Sequence, residues 1–93
     1  MAKILNHRYF RLPLKLNQKV YYIGLGGQLF RGVVREIDIY YLDSGKEVDI
    51  DFRVHPIIEG KELEIVDYFS DYEVNKKVFT SERKARRYIK TSR

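Results

Sequence analysis

Six bases crowd the last eleven residues of this chain: Arg83, Lys84, Arg86, Arg87, Lys90 and Arg93. Carried on one helix, they are enough to contact several phosphates and to make that contact salt-sensitive. The plainer reading is a solvated helix face, paired to acids elsewhere in the chain. Aromatic residues form a second group: Tyr9, Phe10, Tyr21, Tyr22, Phe30, Tyr40, Tyr41, Tyr68, Phe69 and Tyr72. Adjacent aromatics in a strand point to opposite faces, so at least one of each pair is expected at the surface. Beside Arg8, Arg11, Arg31 or Arg35, an exposed tyrosine suits base stacking or a flat protein interface. The competing reading is a tyrosine rim around a small core.

Carboxylates form the third group. Glu47, Asp49 and Asp51 lie at i, i+2 and i+4, on one face of a strand, and Asp38 can join them across a hairpin. Such a cluster suits a hard cation or acid–base work. Alternating acids also keep a wet sheet face soluble, and they can pair with Arg31 and Arg35 on the neighbouring strand. His7 and His55 are far apart, and Ser44, Ser70, Ser81 and Ser92 sit in no nucleophile-elbow motif. Gly24-Leu25-Gly26-Gly27 lacks the Lys-Ser/Thr ending of a phosphate loop. The reading is therefore a non-enzymatic protein with no cofactor and no metal.

The elements that must position these residues follow from pattern. The chain has 93 residues, a formal charge of +5 and no cysteine, which fits one small domain without disulfides or thiolate metal sites. The charge is segregated. Residues 1–35 hold seven bases and no acid, 36–75 hold twelve acids and three bases, and 76–93 hold eight bases and one acid. An arm with one short extended segment is expected over 1–16, a β-barrel over 17–79 and a basic helix over 80–91.

Lys19 to Ile23 reads as a strand, with a glycine turn after it. Leu29 to Tyr41 reads as a long strand whose apolar phase slips between Val34 and Ile37, with Gly32 just before, which signals a bulge or bend. Asp43 to Lys46 is a turn, and Glu47 to Val54 alternates cleanly. Pro56 to Lys61 reads as a loop, with His55-Pro56 ending the strand before it. Glu62 to Phe69 reads as a strand with Leu63 and Ile65 inward. Asp71 to Asn75 is a turn and Lys77 to Phe79 a closing strand. Thr80 or Ser81 can cap the helix, Glu82 suits its N-terminus, and Ala85, Tyr88 and Ile89 give it an apolar stripe.

The expected fold is mainly β: a small, strongly bent antiparallel SH3-like barrel of five to six strands with a C-terminal basic α-helix, an OB-like barrel being the alternative. Gln18 to Ile23 followed by Gly32 to Ile37 resembles the opening hairpin of SH3-like, KOW-like and Tudor-like barrels. Val78-Phe79-Thr80-Ser81-Glu82-Arg83-Lys84-Ala85 is similar to a tail of many small bacterial and phage proteins, in which a strand leads into a Glu- and Ala-bearing helix. Arg83 departs from that pattern, where a Glu would complete a capping box. The resemblance implies a fold and a mobile-element neighbourhood, and it leaves the activity open.

Two functions fit. In the first, a nucleic-acid-associated accessory or regulatory protein contacts DNA or RNA phosphates through Arg83, Lys84, Arg86, Arg87 and Lys90, the surface being extended by Arg31, Arg35 and Tyr21 or Tyr22. In the second, a phage- or mobile-element-borne module binds or inhibits a host protein through Glu47, Asp49, Asp51, Tyr40 and Tyr41. Homo-oligomerisation fits either. No stretch is apolar enough for a membrane span, no secretory leader is expected, and a cytoplasmic location follows.

Overall fold

The computed structural model describes residues 12–42 and 47–91. Six strands form one sheet: β1 (Lys19–Ile23), β2 (Leu29–Leu42), β3 (Glu47–Ile58), β4 (Lys61–Glu62), β5 (Asp67–Ser70) and β6 (Val78–Phe79), followed by the helix α1 (Glu82–Thr91). All strand pairs are antiparallel. The order is β4-β3-β2-β1-β6, with β5 also on the outer edge of β3. The turn expected at Asp43 to Lys46 and the extended segment within 1–11 lie outside the described residues.

Alternation builds the core. Val20, Tyr22, Val34, Ile50, Phe52, Val54 and Val78 point to the inner face, joined by Leu14 from the chain before β1. Fully burying a side chain of this size contributes about 1.5–3 kcal/mol. The expected break in β2 is real: pairing with β3 slips between Val34 and Glu36, leaving Arg35 as the bulged residue. Three residues before Arg35, a Cβ on Gly32 would stand 2.6 Å from Val54 Cγ1 and 3.1 Å from Tyr22 Cε1. Only glycine lets the strands approach so closely there.

The bend carries β5 around until it touches β1 through side chains. Tyr22 donates its hydroxyl hydrogen to Asp67 Oδ2 at 2.7 Å, and its ring meets Phe69 edge-on at 5.0 Å. Burial, then the hydrogen bond to Asp67 and its negative charge, push the Tyr22 phenol well above the ordinary tyrosine range. No ladder joins the two strands, so the sheet curls without closing and the expected complete barrel is not formed.

Two strand boundaries differ from expectation. β3 runs through Pro56 to Ile58, with Pro56 opposite Gly32, so the loop expected from Pro56 shrinks to a turn at Glu59-Gly60. Pro56 offers its carbonyl to Leu63 N–H at 2.8 Å. In an antiparallel strand a residue's N and O face the same side, so the missing N–H faces away from β2 and its ladder stays intact. The strand expected over Glu62 to Phe69 is instead two short pieces. His55 Nδ1 donates to Leu63 O at 2.8 Å, replacing a ladder bond with a side chain. The chain then leaves the sheet, and Ile65, expected inward, is 62% exposed.

Candidate nucleic-acid interface

α1 is anchored on the outer face of the sheet. Ser81 Oγ accepts the Lys84 N–H at 3.2 Å and caps the first turn, and Glu82 suits the positive helix end. Ala85 is fully buried, and Tyr88 packs on Phe79 of β6 with ring centroids 5.3 Å apart. This footing turns the basic residues to solvent. Arg86 uses its Nε to bond Glu82 Oε2 at 2.8 Å, one turn back. Among the described residues, Arg83, Lys84, Arg87 and Lys90 meet no carboxylate within ion-pair distance, and no acid of residues 36–75 pairs with α1. Arg83, Arg86, Arg87 and Lys90 share one stretch of open surface beside Ile89.

Tyr21 and Tyr22 separate as adjacent strand residues must. Tyr22 is in the core, 3% exposed, so of the two only Tyr21 has a ring available to a partner. Tyr21, Arg31 and Ile57 stand abreast on the outer face of β1, β2 and β3. They floor a shallow groove of about 320 Å³, walled by Glu82 and Arg86 of α1 on one side and by Ile58 on the other. Glu59, at the rim, has a positive φ of 52° and Gly60 follows at 79°, the backbone signs of a tight hairpin turn. Ile57, Ile58 and Glu59 were not legible as site residues, because they fall where Pro56 suggests a loop.

Arg35 belongs to a different environment. Its Nε and Nη2 donate to the two oxygens of Glu62 at 3.0 and 2.6 Å, and its Nη1 to Asn17 Oδ1 at 2.7 Å. The guanidinium holds the Glu62 carboxyl below the usual carboxylate range, against the opposing effect of desolvation. A bidentate clamp of this kind fixes the bulge and leaves Arg35 little to offer a ligand. Arg35, expected to extend the surface, is thus engaged by Glu62 and Asn17.

The acidic strand likewise has its own cation. Beyond the bulge, Glu36, Asp38 and Tyr40 of β2 share the outer face with Glu47, Asp49, Asp51 and Arg53 of β3. Arg53 donates to Asp38 Oδ2 at 2.7 Å and to Glu36 Oε1 at 3.1 Å, and lies 5.5 Å from the centre of the Tyr68 ring. Glu36 and Asp38 thus pair with Arg53 within the hairpin, while Glu47, Asp49 and Asp51 meet no cation within ion-pair distance among the described residues, Arg31 and Arg35 included. Asp38 and Asp51 still stand directly opposite each other, and Asp49 faces Tyr40. Among the described residues, no three His, Asp or Glu side chains converge to hold a metal ion. Past Ile39 and Ile50 no strand among the described residues pairs with either edge of the hairpin, and Tyr40, Tyr41 and Leu42 are 47%, 57% and 40% exposed.

No protein-family description, curated protein or solved structure matches the chain. Among the described residues, no helix is long and apolar enough to cross a membrane.

Proposed function

We propose that this protein is a nucleic-acid-associated binding module, an opened relative of SH3-like barrels, that contacts phosphates through α1. The observation that carries this reading is that Arg83, Lys84, Arg87 and Lys90, on a helix whose opposite side is docked, pair with no acid among the described residues. The plainer account of these bases pairs them with the acidic middle of the chain. That account loses its footing, since among the described residues the acids of 36–75 that form ion pairs do so with Arg35, Arg53, His55 and Lys77, and none pairs with α1. Four cations without counter-charge attract a polyanion and displace its condensed counterions on contact. The sheet-side cation Arg31 and the terminal nitrogens of Arg86 extend the same surface toward the groove.

The test is a titration of short single- and double-stranded DNA and RNA at several salt concentrations. Log affinity falling linearly with log salt, with the slope of several phosphate contacts, is the expected result. Absence of binding at low salt overturns the reading.

A second reading rests on the free end of the β2–β3 hairpin, where consecutive Tyr40, Tyr41 and Leu42 are exposed beside Asp49 and Glu47. Exposed tyrosine next to unpaired acid suits a basic protein surface. Asp49→Lys with Tyr40→Ala separates the two readings, because it leaves the helix untouched.

A further inference from the structure

Beside the helix, the groove offers what a phosphate surface alone does not need. Its floor holds an aromatic ring, Tyr21, next to a guanidinium, Arg31. One wall is apolar, Ile57 and Ile58, and the other carries Arg86. Ile58 is 40% exposed, an apolar side chain left at the rim without cover. Arg86, which lines the groove, bonds Glu82 through its Nε, and its two terminal nitrogens make no hydrogen bond among the described residues. A volume of about 320 Å³ lies at the small end of sites for compact organic ligands. A flat π-face, apolar flanks and two cations match one kind of group well: a nucleobase with the phosphates on either side of it. The arrangement does not match a duplex, whose bases are stacked and hidden.

Resting on the phosphate-binding reading above, we infer that the groove between α1 and the end of β3 accepts one unstacked nucleobase against Tyr21, with its flanking phosphates on Arg31 and Arg86. The protein is therefore a reader of single strands. The phosphates that follow run out along Arg83, Arg87 and Lys90, which continue from Arg86 on the same exposed side of the helix. Glu59 and Glu82 at the margins of the groove are acceptors for amino hydrogens on the base edge and repel a second phosphate from entering.

Three probes separate base from backbone: a 15-mer of thymidylate and a 15-mer of abasic sites, equal in charge, and a 15-base-pair duplex that carries twice their charge. One stacked base is worth about 1–3 kcal/mol, so the thymidylate 15-mer is expected to bind roughly 5- to 150-fold tighter than the abasic one. Tyr21→Ala is expected to abolish that ratio while leaving abasic binding unchanged, and Tyr21→Phe, which keeps the ring, to preserve it. Arg83→Glu with Arg87→Glu is expected to weaken all three probes together. Equal affinity of the wild type for thymidylate and abasic strands, with the helix variant still weakening both, overturns the base site and leaves the phosphate reading standing. Loss of both probes alike in Tyr21→Ala, with Tyr21→Phe also impaired, overturns the base site too. Binding of none of the probes overturns both.

Discussion

At the bulge, Arg35 and Arg53 are each gripped by acids from a neighbouring segment, whereas on α1 Arg83, Lys84, Arg87 and Lys90 pair with no acid among the described residues. Arg35 and the α1 bases come from the two flanking sequence blocks of similar basic excess, and Arg53 from the acidic block between them. Position in the fold decides what each block becomes. Where β2 slips past β3, arginine from the basic start of the chain meets Glu62 from its acidic middle, and the pair closes a bend. The helix docks beside β1 and β6, and among the described residues no acid of the middle block pairs with it. The difference teaches that charge segregation in a sequence is neutralised where strand pairing brings opposite blocks together and preserved on an element that stands apart.

The sharpest way to break this comparison is to exchange the behaviour of the two regions. Arg83→Glu with Arg87→Glu is expected to lower oligonucleotide affinity by at least about tenfold at low salt and to reduce the salt slope by about two contacts, with the melting temperature unchanged. Arg35→Glu, set against Glu62, is expected to do the reverse: a lower melting temperature with the salt slope intact. Calorimetry and fluorescence-anisotropy titration on the same preparations measure both. A loss of affinity in Arg35→Glu at temperatures where it is fully folded would erase the distinction.

Smaller effects sharpen it. Tyr22→Phe removes the hydroxyl bond to Asp67 and is expected to lower stability by about 1 kcal/mol near neutrality. The folded-state phenol is raised, so its contribution is full below the ordinary tyrosine pKa near 10 and is lost as pH rises beyond it. The wild type is therefore expected to lose stability in alkali more steeply than Tyr22→Phe in urea titrations between pH 9 and 11.

Glu73 has the opposite sign. The Ser70 N–H first, and then Lys77, hold its carboxyl below the usual range against some desolvation. Its contribution is present above the ordinary glutamate pKa near 4.3 and fades as pH falls through the folded value. Glu73→Gln is expected to flatten that acid limb. Smallest of all, Glu59→Asn places a residue tolerant of positive φ in the turn and is expected to add about 0.5–1 kcal/mol.

Much of this arrangement was legible in residue pattern. The phase slip between Val34 and Ile37 located the bulge, because a change of face needs an extra residue and nothing else in a strand supplies one. Ser81, Glu82, Ala85 and Tyr88 located the helix and its docked side. The β3–β4 region was misjudged for two physical reasons. Pro56 ends strands only when its missing donor is needed, and here that side faces away from β2. Leu63 to Val66 alternates like a strand, but His55, twelve residues before Asp67, captures Leu63 O and diverts the chain. The groove stayed hidden because it joins three strands and a helix, a juxtaposition that no local spacing records. Nor does any residue type announce whether a bent sheet closes.

The central claim is that α1 and the groove beside it, and not the acidic hairpin, receive nucleic acid. The most direct measurement is amide chemical-shift mapping during titration with a thymidylate 15-mer. Shifts clustered at Tyr21, Arg31, Arg83, Arg86, Arg87 and Lys90, with Glu47 to Asp51 silent, are the expected result. Shifts confined to the hairpin, or none at saturating oligonucleotide, would contradict the account.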